Sequence, residues 1–173
     1  MRASGHAGGG KTLPFLTTRE MFSIKAGDIG EAYAAADEVE RRAMLETLDR
    51  DELTRKRMMK VFTSGTPVLI EDIEWFASMR DERVLMRLLA DLPDDTARRI
   101  MSVNTALSEA ERESWSYVGY KGGSEAGVRN LSWLLRDPDG RWHMLAISQM
   151  DPASEVDTTA LLMIAKRILT LKE

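Results

Sequence analysis

With 173 residues, 43% apolar and 30% charged, the chain has the length and composition of a soluble globular domain with its own core, not of a disordered or low-complexity segment. A net charge of −4 and a pI near 5.4 give no basic footprint for nucleic acid, and no apolar run approaches the roughly 20 residues of a membrane helix. The absence of cysteine excludes disulfides and thiolate metal sites, and the only two histidines, His6 and His143, lie too far apart in sequence to suggest a metal centre.

Met1-Arg2-Ala3-Ser4-Gly5-His6 has no apolar segment behind it, so no signal peptide is expected; exported proteins can also lack cysteine, so the compartment stays open. Residues 1–16 are Gly-rich without periodicity and read as a loop or frayed terminus. Within them Gly5-His6-Ala7-Gly8-Gly9-Gly10-Lys11-Thr12 satisfies the G-x-x-x-x-G-K-[ST] pattern of a phosphate-cradling loop. Such a loop needs a buried strand before it and a helix directly after it. Only four residues precede Gly5, Pro14 follows Thr12, and no parallel βαβ pattern comes next, so a Gly-rich loop is expected over a nucleotide site.

Thr17-Thr18-Arg19-Glu20 fits a capping box and predicts a short helix through Met21, Phe22 and Ile24, stopped by Gly27. From Ile29 to Leu53 the chain is Ala- and Glu/Arg-rich, with Met44, Leu45 and Leu48 on one helical side, and Arg55 to Phe62 continues in helical style. Ser64-Gly65-Thr66-Pro67 breaks the pattern. Val68 to Met79 and Arg83 to Leu92 read as two further helices split near Asp81-Glu82, and Asp94 or Asp95 is placed to cap a helix from Thr96 to Val103.

After Ser108 the pattern changes. Trp115 to Tyr120 is aromatic and β-branched, Val128 to Leu135 is a second strand, and Asp137-Pro138-Asp139-Gly140 is a turn. Arg141 to Met150 is a third strand, with Trp142, Met144, Ala146 and Ser148 on one side and His143, Leu145 and Ile147 on the other. Apolar residues on both sides predict helices on both faces. Asp151-Pro152 ends the strand, and Val156, Ala160, Ile164 and Ile168 recur every four residues beside Leu161, the pattern of an amphipathic terminal helix. The expected fold is therefore α+β: a helical subdomain over residues 17–108, then an antiparallel three-stranded meander and a terminal helix over 109–173. Three strands leave two open edges, a modest sheet for an autonomous domain.

Chemistry concentrates at Lys121-Gly122-Gly123-Ser124. A lysine ending an aromatic strand and followed by two glycines lets a ligand approach the backbone; the cation can hold a carboxylate and the exposed N–H groups can stabilise an oxyanion. A Gly-containing strand-end loop with a solvated lysine is the plainer reading of the same four residues. Glu71-Asp72-Ile73-Glu74 could pair carboxylates for acid/base work, but with Trp75-Phe76 it reads as a helix with a wet acidic face and a buried aromatic one. His143 alternates with Leu145 and Ile147 without a ligand-spaced partner, so it reads as a structural or partly exposed histidine. The eleven methionines are expected to fill gaps in the core.

The run Trp115-Ser116-Tyr117-Val118-Gly119-Tyr120-Lys121-Gly122-Gly123-Ser124, the two strands after it and the terminal helix resemble the closing part of class A β-lactamase-like serine hydrolases. Pro14 to Phe22 resembles the segment that leaves that family's active-site loop. The resemblance implies part of a β-lactamase/transpeptidase-like fold and hydrolysis of a β-lactam or peptidoglycan-like amide through a serine acyl-enzyme, without a cofactor or metal; the family is usually exported. It gives Lys121 the role of the lysine in the Lys-Thr/Ser-Gly motif and matches Gly123 to its glycine. Ser124 then offers its backbone N–H to the oxyanion, with Gly122, Gly123 and Arg129 on the substrate side and Arg129 a second carboxylate anchor. Gly122 departs from the motif by lacking the hydroxyl. No Ser-x-x-Lys and no Ser-Asp-Asn occurs, and no acidic residue precedes Thr17 where the family carries its deacylating glutamate. Two expectations follow: a C-terminal part of such a hydrolase, inactive alone and partnered by the missing N-terminal half, or a non-catalytic interaction domain on the same scaffold whose open sheet edge docks a partner.

Overall fold

The computed structural model describes residues 6–48, 59, 61 and 63–171 and is α+β, with a three-stranded antiparallel meander between a series of helices and a closing helix. Its residues divide into two compact units. One is Met1–Ser78 with Glu125–Gly127 and Asp151–Glu155; the other is Met79–Ser124, Val128–Met150 and Val156–Glu173.

In the first unit a single 3-10 turn, Gly9–Thr12, precedes α1 (Thr18–Ala26), α2 (Gly30–Ala35) and α3 (Glu38–Glu46). The capping box at α1 forms as expected: the Glu20 N–H donates to Thr17 Oγ1 over 3.2 Å and Glu20 Oε2 accepts from the Thr17 N–H over 2.8 Å. Asp37 and Glu40 repeat that device at 2.9 Å in each direction, which restarts the chain as α3 after Ala36 and divides the helical stretch expected from Ile29 onward. Residues 49–53 of that stretch, and most of the helix expected over Arg55–Phe62, lie outside the described residues. Leu16, Met21, Ile24, Tyr33 and Ile73 form the core, with Leu45, Leu48 and Leu69 packed against it. Arg41 is buried and saturates carbonyl oxygens, donating to Tyr33, Ala34 and Lys11 over 3.0 Å each while lying over the Tyr33 ring.

One expectation for this unit is narrowed and one corrected. Of the loop or frayed terminus expected over residues 1–16, described residues 6–16 form a packed loop: Thr12 and Leu16 are buried and the Trp75 indole donates to the Leu16 carbonyl over 2.9 Å. Val68 to Met79 is not a helix. Ile70 and Ile73 supply the three-residue apolar spacing, but a single turn buries both, closed by the Ile73 N–H donating to Leu69 O over 2.8 Å. Leu69 has φ 50°, outside helical space, and Lys11 Nζ takes the Glu71 carbonyl over 2.9 Å, an oxygen that helix propagation would need.

In the second unit α4 (Met79–Asp91), α5 (Thr96–Met101) and α6 (Glu109–Arg112) precede β1 (Tyr117–Glu125), β2 (Val128–Arg136), β3 (Trp142–Met150) and α7 (Thr158–Leu169). Asp81 and Glu82 do not split a helix; they occupy the first turn of α4, where carboxylates complement the helix dipole. Asp94 supplies the capping bond to the Thr96 N–H over 2.8 Å, although Asp95 holds the cap position. The sheet order is β1-β2-β3, with Val128 opposite Met150 and Arg136 opposite Trp142. Gly127 (φ 74°) turns the chain between β1 and β2, and Gly140 (φ 86°) closes the Asp137–Gly140 turn. Val118, Leu131, Trp133 and Leu135 pack under Leu161 and Ala165 of α7, while α4 covers the other face at β3, so helices flank the sheet on both sides as expected.

The stripe expected to bury α7 is not the one that does. Leu161, Ala165 and Leu169 meet the sheet, whereas Ile164 and Ile168 stay 52% and 41% exposed. The helix is apolar around more than one face, and the sheet has room for one. Methionine behaves likewise: Met21 and Met86 are buried, while Met79, Met150 and Met163 are exposed.

Candidate functional site

Lys121-Gly122-Gly123-Ser124 lies inside β1, not in a loop at a strand end, because ladder pairing needs only backbone and the strand continues to Glu125 before the Ala126-Gly127 turn. Strand alternation then sorts the expected site residues. Val118 and Tyr120 face the α7 core, so Gly122 and Ser124 lie on that side and Lys121 and Gly123 on the other. On β2, Arg129 shares parity with Leu131 and Trp133, which puts it on the Ser124 face with Tyr120 near enough to feel its charge. Lys121 and Arg129 therefore flank the outer strand from opposite faces and do not converge as neighbours on one surface. Lys121 is exposed, its Nζ donating to the Gly122 carbonyl. Arg129 Nε is buried without a hydrogen-bond partner. Gly122 has little room for a side chain: a Cβ there would meet the Tyr120 hydroxyl at 2.5 Å, and the Tyr120 ring is held by Trp133 with centroids 4.9 Å apart. At Gly123 the nearest neighbour would be Asn130 at 3.8 Å, an ordinary contact.

Three groupings of charged side chains were not anticipated as groupings. The first joins His143, read from sequence as partnerless, to the opening residue of the β2–β3 turn. His143 Nε2 lies 3.0 Å from Asp137 Oδ2, Arg141 Nε donates to the same oxygen over 2.8 Å, and the Arg141 N–H donates to Asp137 Oδ1 over 2.8 Å. The His143 bond, with help from Arg141, holds the Asp137 carboxyl well below the usual carboxylate range, and Trp115 meets the imidazole edge-on at 5.5 Å. The Ser116 hydroxyl donates to the Arg136 and Asp137 carbonyls, over 3.0 and 2.8 Å, so this acid–histidine pair pins a hairpin and the Ser116 hydroxyl is spent on backbone, not on the imidazole.

The other two lie in the first unit and account for the acidic run at Glu71–Glu74, which is no wet helix face. Lys11, the lysine of the phosphate-loop pattern, is engaged by Asp72 at 2.5 Å. Lys25 is fully buried and pairs with Glu74 and, over 2.6 Å, with Glu125 at the β1–β2 turn. Burial pushes the Glu125 carboxyl up to about 8, the neighbouring Glu74 adds to the rise, and Lys25 opposes it. A sequence signal existed: Lys25 follows Met21 by four residues, so α1 turns it onto the buried face. The partners, distant in sequence, gave none.

Among the described residues no group of three or more His, Asp or Glu is arranged to hold a metal ion, and no helix is long and apolar enough to cross a membrane. No protein-family model matches the chain, and no curated protein matches it.

Proposed function

We propose that the chain is the C-terminal part of a serine hydrolase of the class A β-lactamase type and is inactive alone. The observation behind this reading is that Lys121-Gly122-Gly123-Ser124 sits in the outermost strand of a meander closed by a terminal helix. An outer strand presents alternate N–H groups away from its neighbour, as an oxyanion donor such as the Ser124 amide requires. Lys121 supplies positive charge beside the strand, and Gly123, with 3.8 Å of clearance, lets a β-lactam or peptidoglycan-like amide approach the backbone. The serine that would attack the carbonyl, expel the amide nitrogen and be released by water comes from a Ser-x-x-Lys outside this sequence. The test is intact-mass analysis after incubation with a labelled penicillin, together with turnover of a chromogenic cephalosporin. Neither an adduct nor turnover is expected from the chain alone. Stoichiometric acylation overturns the claim that the nucleophile is missing. A coding sequence upstream that lacks Ser-x-x-Lys and Ser-Asp-Asn overturns the hydrolase reading itself.

One observation favours a second reading, a non-catalytic interaction domain: Met163, Ile164, Ile168 and Leu171 leave an apolar stripe open along α7 and its end. Gel filtration with light scattering tests it. Association that Ile164→Lys with Ile168→Lys abolishes supports it, and a monomer unaffected by the change excludes this stripe as a self-association surface.

A further inference from the structure

β3 forms one margin of the sheet, with β2 on one side and no strand on the other among the described residues. None of its nine residues is Lys, Arg, Asp, Glu or Pro, the types that ordinarily blunt an open edge. Beside it, α4 packs over this outermost strand and leaves a cleft of about 780 Å³. Met86 and Ala90 of α4 and Met144 and Ala146 of β3 give the cleft an apolar interior. Arg83 and Arg87 line it from the helix. Asp91 and His143 also line it; Asp91 pairs with Arg87 over 3.8 Å with both side chains largely exposed, so the helix side carries two arginines against one aspartate, beside a strand without Lys, Arg, Asp or Glu.

We infer that this cleft and the β3 edge take an extended peptide segment as a fourth strand, with carboxylates on its α4 side and aliphatic residues on the other. Residues one helical turn apart, as Arg83 and Arg87 are, lie about 6 Å apart along α4. Alternate residues of a strand lie about 6.6 Å apart. A basic segment is disfavoured by the arginines. The inference rests on neither functional reading above.

The test is fluorescence anisotropy of the full chain with a labelled nonapeptide of alternating valine and glutamate. Saturable binding is expected, and a valine–lysine peptide binds at least about tenfold more weakly, a difference of roughly 1.4 kcal/mol. Arg83→Glu with Arg87→Glu, both exposed and so compatible with folding, reverses that preference. Methylating the peptide amides of one parity abolishes binding while methylating the other parity does not, which a non-strand mode would not produce. The proposal is overturned if the valine–glutamate peptide does not bind, if charge reversal leaves the preference unchanged, or if both methylated series bind alike.

Discussion

Replacing Glu125 by glutamine removes one titrating carboxyl from the buried Lys25–Glu74–Glu125 cluster and keeps its shape. Burial raises the Glu125 carboxyl from its ordinary 4.5 to about 8, so across that window the folded chain holds a proton that the unfolded chain has released. A folded state binding the extra proton is favoured at low pH. Its contribution is complete below 4.5 and declines with rising pH until it is gone above about 8. For one proton the slope is about −1.4 kcal/mol per pH unit. Glu125→Gln lacks this term, and its amide oxygen still accepts from Lys25. It is expected to match the parent near pH 5 and to become the more stable protein as pH rises, the gap widening by at most about 1.4 kcal/mol per unit. Urea denaturation from pH 5 to 9, followed by tryptophan fluorescence, measures the two slopes. Parallel curves, or a constant penalty for the variant, would mean that Glu125 is ionised at neutral pH and is simply an ion-pair partner of Lys25. Lys25→Met strips both carboxylates of their counter-charge and is expected to cost about 3–5 kcal/mol, more at pH 9 than at pH 5, where protonation relieves the repulsion.

Arg41→Met orphans the carbonyls of Tyr33, Ala34 and Lys11 and should cost about 3 kcal/mol or more in the same denaturation assay. Gly127→Ala places a Cβ against the Asp151 carbonyl and Pro67 at φ 74°, and should lower thermal stability by several degrees, whereas Gly123→Ala, with 3.8 Å of clearance, should be near neutral. Because the Asp137 carboxyl is held below its ordinary 3.8, the β2–β3 hairpin draws stability from its ionised form above that value and loses it as pH falls; Asp137→Asn should flatten the acid limb of the stability curve, read by circular dichroism.

Local signals determined much of this protein without help from distant residues. Thr17 and Glu20 sit three apart and close their own cap; Asp137 to Gly140 carry the turn in four consecutive residues; the three strands and the closing helix follow from composition and period. Such features need partners only a few residues away. The Lys121 tetrad was legible as residues, but not its setting. The strand runs through it because β2 pairs with it, and alternation against the α7 core then parts Lys121 from Arg129. Competition for burial chose Leu161, Ala165 and Leu169 over Ile164 and Ile168 on a helix with more than one apolar face. A single turn at Ile70–Ile73 satisfied a helical spacing because Lys11, 60 residues earlier in the chain, claims the Glu71 carbonyl. Tertiary structure alone joined Lys25 to Glu74 and Glu125, 49 and 100 residues along the chain, since burial in common, not spacing, lifts a carboxyl toward 8.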